Sequence, residues 1–220
     1  MTIENTRLAA AAAHRPAIRQ CYPESRMPAS IDDPIDIFKE LLERAAQTSV
    51  EPDAMVLSTV DENGRASGRY VLLKGVDTRG FVFYTNLESR KARALSANPS
   101  AALCFYWPSI EKQVRVEGTV ERVSDADADA YFATRSRESQ LGARASRQSA
   151  SLESRDALDR RVSEARARFE GRVVPRPPFW SGFRVVPRSI EFWTRDPARL
   201  HVRDHYERDG DRWIRTLLYP

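Results

Sequence analysis

Between Ala54 and Val123 the chain alternates short β-rich runs with turn signals, and this pattern constrains the fold more than any other stretch. The runs Ala54 to Val60, Ser67 to Lys74 and Phe81 to Asn86 are separated by Asp61-Glu-Asn-Gly64 and Asp77-Thr-Arg-Gly80. Glycine-containing turns between β-rich runs predict a meander. Ser89 to Ala97 reads as a short helix closed by Asn98-Pro99, and Ala101 to Trp107 as a further strand. In the long run Gln113 to Val123, Gln113, Arg115, Glu117 and Thr119 alternate with Val114, Val116 and Gly118. A two-residue period gives such a strand one polar face.

Helical spacing flanks this sheet. Asp33 before Pro34 is a helix start, and Ile37, Phe38, Leu41, Leu42 and Ala45 form one stripe. Ser124 caps a predicted helix through about Arg135, with Asp125 and Asp127 well placed against its dipole. Another helix, Ser154 to Phe169, aligns Leu158, Val162, Ala165 and Phe169. After Pro175-Arg-Pro-Pro178, strands return at Phe183–Val186, Ile190–Trp193, Leu200–Tyr206 and Trp213–Leu218. Strands, helices, then strands predict a mainly β (α+β) chain, a closed barrel with helices laid across it. Residues 1–30 show no period and carry Pro16, Pro23 and Pro28, which reads as a flexible arm before a single domain over 31–220.

Charge and cysteine content remove several function classes. A net charge of +4, spread along the chain, argues against a nucleic-acid-binding tail. Cys21 and Cys104 match no metal or disulfide spacing, so no metal is expected. Leu8 to Ala13 is too short for a signal-peptide core, and nothing approaches the roughly 20 apolar residues of a membrane span. A cytoplasmic protein is expected. Of 35 basic residues only Lys39, Lys74, Lys91 and Lys112 are lysine, so each is a candidate for a site wanting a point charge.

Four clusters could carry chemistry. In Arg69-Tyr-Val-Leu-Leu-Lys74, alternation turns Arg69, Val71 and Leu73 one way and Tyr70, Leu72 and Lys74 the other; two solvated charges at strand ends fit equally well. Tyr84 and Thr85 lead into Ser89-Arg90-Lys91, where free helix N–H groups and two cations suit a phosphate. A capped helix with exposed basic residues is the plainer alternative. Tyr131 and Arg135 lie four apart on a predicted helix face, with Ser139 following, a set able to grip a phosphate. Finally, Trp193 precedes Arg199, His201 and Arg203, which a strand would place on one face, as would a simple surface strand. Neither GxGxxG nor GxxxxGK[ST] is present.

Taken together, these segments resemble the pyridoxamine 5'-phosphate oxidase family. The resemblance is carried by Arg69-Tyr-Val-Leu-Leu-Lys74, Phe83-Tyr-Thr-Asn86, Ser89-Arg-Lys91, Arg135, Ser139-Gln-Leu-Gly-Ala143, Arg147-Gln-Ser149, Phe179-Trp180, Gly182-Phe-Arg184, Glu191-Phe-Trp193 and Arg199-Leu-His201, in order over about residues 34 to 213. It implies an FMN-binding split β-barrel of antiparallel Greek-key type, forming a homodimer with FMN at the subunit interface. It further implies that Arg69, Tyr70, Val71, Leu72, Leu73, Lys74, Tyr84, Thr85, Arg90, Lys91, Gln113, Gln148, Ser149, Trp193 and Arg203 hold FMN. Lys74, Tyr131, Arg135 and Ser139 would take the substrate phosphate, while Arg199, Leu200 and His201 contact the pyridine ring, Arg199 and His201 as the catalytic pair.

The implied reaction oxidises pyridoxine or pyridoxamine 5'-phosphate to pyridoxal 5'-phosphate, with oxygen giving hydrogen peroxide and the amine giving ammonia. Val202, where the family usually has an acid, and the ending Thr216-Leu-Leu-Tyr-Pro220 depart from the pattern, and Tyr70 and Arg144 are less usual choices. Arg19-Gln-Cys-Tyr22 resembles a segment that folds over substrate. Two alternatives stand beside this reading: a split-barrel flavoenzyme acting on another substrate, as in phenazine-type biosynthesis, and a non-catalytic binder of pyridoxal phosphate or flavin.

Overall fold

The structure, a computed structural model, describes residues 33–220. The expected N-terminal arm, Cys21 and the Arg19–Tyr22 segment lie outside the described residues. Helix α1 (Pro34–Ala46) begins as expected: the Asp33 side chain accepts the N–H of Ile35 at 2.9 Å, and proline fills the first turn. Its buried face, Ile35, Phe38, Leu41 and Ala45, closes the main core. Phe38 is fully buried, with its ring 4.8 Å from that of Phe81 and 4.9 Å from that of Phe105. Burial of such a side chain contributes about 1.5–3 kcal/mol.

The sheet comprises β1 (Ala54–Val60), β2 (Ala66–Leu72), β3 (Gly75–Asp77), β4 (Gly80–Asn86), β5 (Ser100–Trp107), β6 (Lys112–Arg122), β7 (Trp180–Thr194), β8 (Val202–Asp209) and β9 (Arg212–Leu218). Every pairing is antiparallel, in the order β2-β1-β5-β6-β7-β4-β3, with β8 on β7 and β9 on β8. The result is a curled, split barrel with helices. One strand replaces the two expected at Phe183–Val186 and Ile190–Trp193. Pro187 does not break it, because it sits where β7 changes partner, from β4 up to Val185 to β8 from Ser189, opposite a bulge at Glu117/Gly118. A missing donor costs little there. Gly118 is forced at this bulge, since a Cβ would lie 2.0 Å from the Val186 carbonyl oxygen.

Register aligns the outer face. Directly opposed residues on antiparallel strands point the same way, so Tyr70, Val56, Cys104, Arg115, Glu191, His205 and Thr216 form one row. Two residues further along the strands, Tyr106, Gln113, Trp193, Arg203 and Leu218 form a second row on the same face. Apolar side chains stay exposed along it: Tyr70 at 77% and Tyr106 at 59%.

Helix α2 (Arg90–Ala97) is capped by Ser89, α3 (Asp125–Thr134) by Ser124 and α5 (Arg155–Arg168) by Ser154. Helix α4 (Arg137–Ala145) was not expected; Gly142 and a mostly polar sequence obscure its stripe, Leu141 and Ala145. A second core, Phe132, Leu141, Phe169, Val174 and Trp180, ties these helices to the start of β7. Among the described residues no helix is long and apolar enough to cross a membrane.

Candidate active site

An open cavity of roughly 360 Å³ lies between β2, β4, α3, α4 and the start of β7. Tyr70, Val71, Leu72 and Lys74 form one wall, and Tyr84, Thr85, Asn86 and Lys91 another. Tyr131, Arg135, Ala143, Ser146, Gln148 and Trp180 complete it. Strand alternation holds: Tyr70, Leu72 and Lys74 are exposed toward the cavity side, whereas the Leu73 side chain is 5% exposed and belongs to the core. Leu73 can therefore offer a ligand only its backbone.

One end of the cavity collects cations and hydroxyls. Lys91 Nζ donates to Thr85 Oγ1 and Gln148 Oε1, each at 3.1 Å, and the Arg90 N–H donates to Ser149 Oγ at 3.1 Å. Ser149 sits at φ 72°, a left-handed conformation held by the surrounding bonds. Burial, with the nearby charge of Arg69, lowers the Lys91 pKa; burial, with Arg90, lowers that of Arg69. Mutually repelling cations at a helix N-terminus make a receptor for an anion. Arg69 itself turns toward β1, donating to the Leu57 carbonyl at 3.0 Å and Thr59 Oγ1 at 2.8 Å. It thus acts on the cavity through charge. The residues fit a phosphate-bearing cofactor such as FMN.

A second cationic group lines the same cavity. Helix α3 ends before Arg135, whose extended backbone (ψ 149°) replaces the helical position expected from its spacing to Tyr131. The Arg135 guanidinium lies over the Trp180 ring, 4.9 Å from its centroid, and its Nη1 is buried with no hydrogen-bond partner among the described residues. A buried unpaired guanidinium donor costs free energy until an acceptor arrives. Lys74 is held by Asp53 at 2.7 Å. Tyr131 stacks on Tyr84 at 4.0 Å, with Trp180 parallel behind at 5.4 Å from Tyr84. Gly182 makes room for this stack, because a Cβ there would meet the Tyr84 ring at 2.8 Å. Ser139 is not part of the cavity wall; it is an exposed residue in the first turn of α4, bonded to Ser136 Oγ at 2.8 Å.

The remaining expected residues gather elsewhere. Gln113 opposes Trp193, which opposes Arg203. The His201 ring lies 4.5 Å from that of Trp193. Strand β8 begins only at Val202, and Arg199 adopts φ 68°, so Arg199, Leu200 and His201 belong to a turn and not to the strand face expected. Trp193 is eleven residues along β7 from Gly182, on the order of 35 Å of strand. None of these residues borders the cavity. Asn86, Ala143, Ser146 and Trp180 were missed as wall residues. Trp180 was recognisable as a large aromatic at the end of a proline-rich turn, while Ala143 and Ser146 carry no signal of their own.

Comparison with known proteins adds independent findings. Residues 39–169 match the family model described as pyridoxamine 5'-phosphate oxidase, and residues 180–220 match the pyridoxine 5'-phosphate oxidase C-terminal dimerisation region. A pyridoxine/pyridoxamine 5'-phosphate oxidase of Myxococcus xanthus is 58% identical over 189 residues, covering 86% of this chain and 92% of the relative. One from Rubrobacter xylanophilus is 57% identical over 189 residues, covering 86% and 87%. Among solved structures, PhzG from Burkholderia lata in complex with tetrahydrophenazine-1-carboxylic acid is similar with a TM-score of 0.83 and 36% identity, covering 90% of this chain and 97% of that one.

Proposed function

The chain belongs to the pyridoxamine 5'-phosphate oxidase family, and from that premise we propose that it is an FMN-dependent oxidase converting pyridoxine and pyridoxamine 5'-phosphates to pyridoxal 5'-phosphate. Molecular oxygen is the acceptor and yields hydrogen peroxide; the amine also yields ammonia. One observation carries the reading: two cationic groups line one cavity, Lys91 with Thr85 and Gln148, and Arg135 with Tyr131 and Lys74. A phosphorylated cofactor and a phosphorylated substrate need both.

FMN, when bound, supplies the two-electron acceptor; the chain's residues bind and orient. Lys91, Thr85, Gln148, Ser149 and the α2 N-terminus receive the cofactor phosphate, with Arg69 and Arg90 adding charge. Strand β2 is a sheet edge, so part of its backbone between Arg69 and Lys74 is free to bond a flat polar ring. Arg135, Tyr131 and Lys74 fix the substrate phosphate, with Ser139 joining if the start of α4 moves inward. Clamping a substrate by its phosphate presents one carbon to the cofactor and turns an encounter into an oriented reaction.

Gln113, Trp193, Arg199, His201 and Arg203 reach this cavity from the partner subunit of a homodimer. The chain carries the family's dimerisation region. The register supports the arrangement, since Tyr70 at one end of the outer face and Trp193 and Arg203 near the other share that face. A two-fold axis through such a face brings opposite ends together. The likeness to PhzG favours a second reading, a reduced tricyclic substrate. Oxygen uptake by the purified flavoprotein with each compound separates them: pyridoxine and pyridoxamine 5'-phosphates should support turnover. Uptake with a tetrahydrophenazine carboxylate alone would establish the second reading instead.

A further inference from the structure

The turn that carries Arg199 and His201 is organised by one residue, Asp196. Its carboxylate accepts the N–H of Ala198 at 2.7 Å and that of Leu200 at 3.3 Å. Its carbonyl accepts the Arg199 N–H at 3.1 Å, closing a turn with Pro197 at the second position, where a fixed φ is favoured. Its own N–H donates to His201 Nδ1 at 3.1 Å. A single residue thus bonds both sides of the segment Arg199–His201.

Two consequences follow. Arg199 sits at φ 68°, a conformation that a residue with a side chain holds only when its surroundings impose it. The flanking bonds to Asp196 impose it, and they decide where the guanidinium projects. The second consequence concerns the imidazole. A backbone N–H can only donate, so Nδ1 must be the lone-pair nitrogen of neutral His201, and the proton resides on Nε2. The ring is further fixed against Trp193, with centroids 4.5 Å apart.

We propose that Asp196 is a positioning residue for the reaction: it shapes the turn that aims Arg199 and fixes His201 as an Nε2–H hydrogen-bond donor. His201 then meets substrate as a donor to an electron-rich atom and not as a base at Nε2. This rests on the assignment of Arg199 and His201 to the substrate. No sequence motif announces Asp196, because its role depends on a turn whose bonds span five residues.

The test uses the holoenzyme in three forms: wild type, Asp196→Ala and Asp196→Asn. Nitrogen NMR of histidine-labelled protein, with the His201 signals identified by their loss in His201→Gln, reads the tautomer directly. Wild type should show an unprotonated Nδ1 and a protonated Nε2. Asp196→Ala keeps the N–H that meets Nδ1 but removes the carboxylate that holds Ala198 and Leu200; with the turn released, it should lose this single tautomer and lower kcat on the order of tenfold to a hundredfold, as misplacement of an orienting group does, with FMN content unchanged. Asp196→Asn, whose amide oxygen still accepts both N–H groups, should restore tautomer and kcat. A protonated Nδ1 in wild type, or an Asp196→Ala enzyme with wild-type tautomer and kcat, would overturn the proposal. Equal impairment of both variants would also overturn it. If wild type turns over no phosphorylated pyridine at all, the functional reading fails, and the tautomer measurement still judges the geometry alone.

Discussion

Arg203 donates to both carboxylate oxygens of Glu191, from Nε to Oε1 at 2.8 Å and from Nη2 to Oε2 at 3.0 Å. Arg115 adds a contact to Glu191 at 3.3 Å, and Arg203 Nη1 donates to the Tyr219 carbonyl at 3.0 Å. The acid that holds Arg203 thus comes from the neighbouring strand β7. Orientation of Arg203 depends on Glu191.

Burial would raise the Glu191 pKa, but the hydrogen bonds and charge of Arg203, with the charge of Arg115, outweigh it and hold the carboxyl below its ordinary range. A depressed folded pKa means that the stability it contributes is full above the ordinary glutamate value of about 4.3 and is lost as pH falls through the lower folded value. Glu191→Gln should cost about 1–3 kcal/mol near neutral pH and lose this part of the acid dependence. Chemical denaturation at a series of pH values measures both.

Burial pushes Lys91 toward its neutral form, and the charge of Arg69 adds to that push. Lys91→Met should therefore leave the FMN-free protein as stable as wild type or more so, while weakening FMN binding on the order of tenfold or more. Melting curves with and without FMN read the two effects separately. A variant destabilised equally in both states would mean that Lys91 is structural.

In the proposed function Arg135 holds the substrate phosphate. Its replacement by Gln removes a charge-assisted donor pair and should raise KM for the phosphorylated substrate on the order of tenfold to a hundredfold, with FMN retained. Steady-state kinetics alongside flavin absorbance checks this.

All strands but the short β3 and four of the five helices were legible because their signals are local: Asp33 with Pro34, the serine caps, and alternation along Gln113 to Val123. The continuity of β7 through Pro187 was not, because it depends on which neighbours each half of the strand finds. Of the residues expected to hold FMN, Tyr70, Val71, Leu72, Lys74, Tyr84, Thr85 and Lys91 line one cavity, but Arg135 reaches it by leaving the helix whose spacing first recommended it. Glu191, Asp53 and Asp196 act by holding other residues, and such roles appear only when hydrogen bonds are known.

A site shared between subunits makes a prediction that no single-chain site can imitate. Arg135→Gln and His201→Asn, each impaired alone, should complement when refolded together, because one site of each mixed dimer receives two intact halves. Random pairing restores about a quarter of wild-type activity. No recovery in a demonstrated mixed dimer would place both halves in one chain.

The proposed enzyme takes electrons from a phosphorylated pyridine. An anaerobic absorption spectrum of the purified yellow protein mixed with pyridoxine or pyridoxamine 5'-phosphate tests it most directly. The flavin band should bleach as pyridoxal 5'-phosphate forms, and the colour should return when oxygen is admitted. A flavin band unchanged by either compound would contradict it.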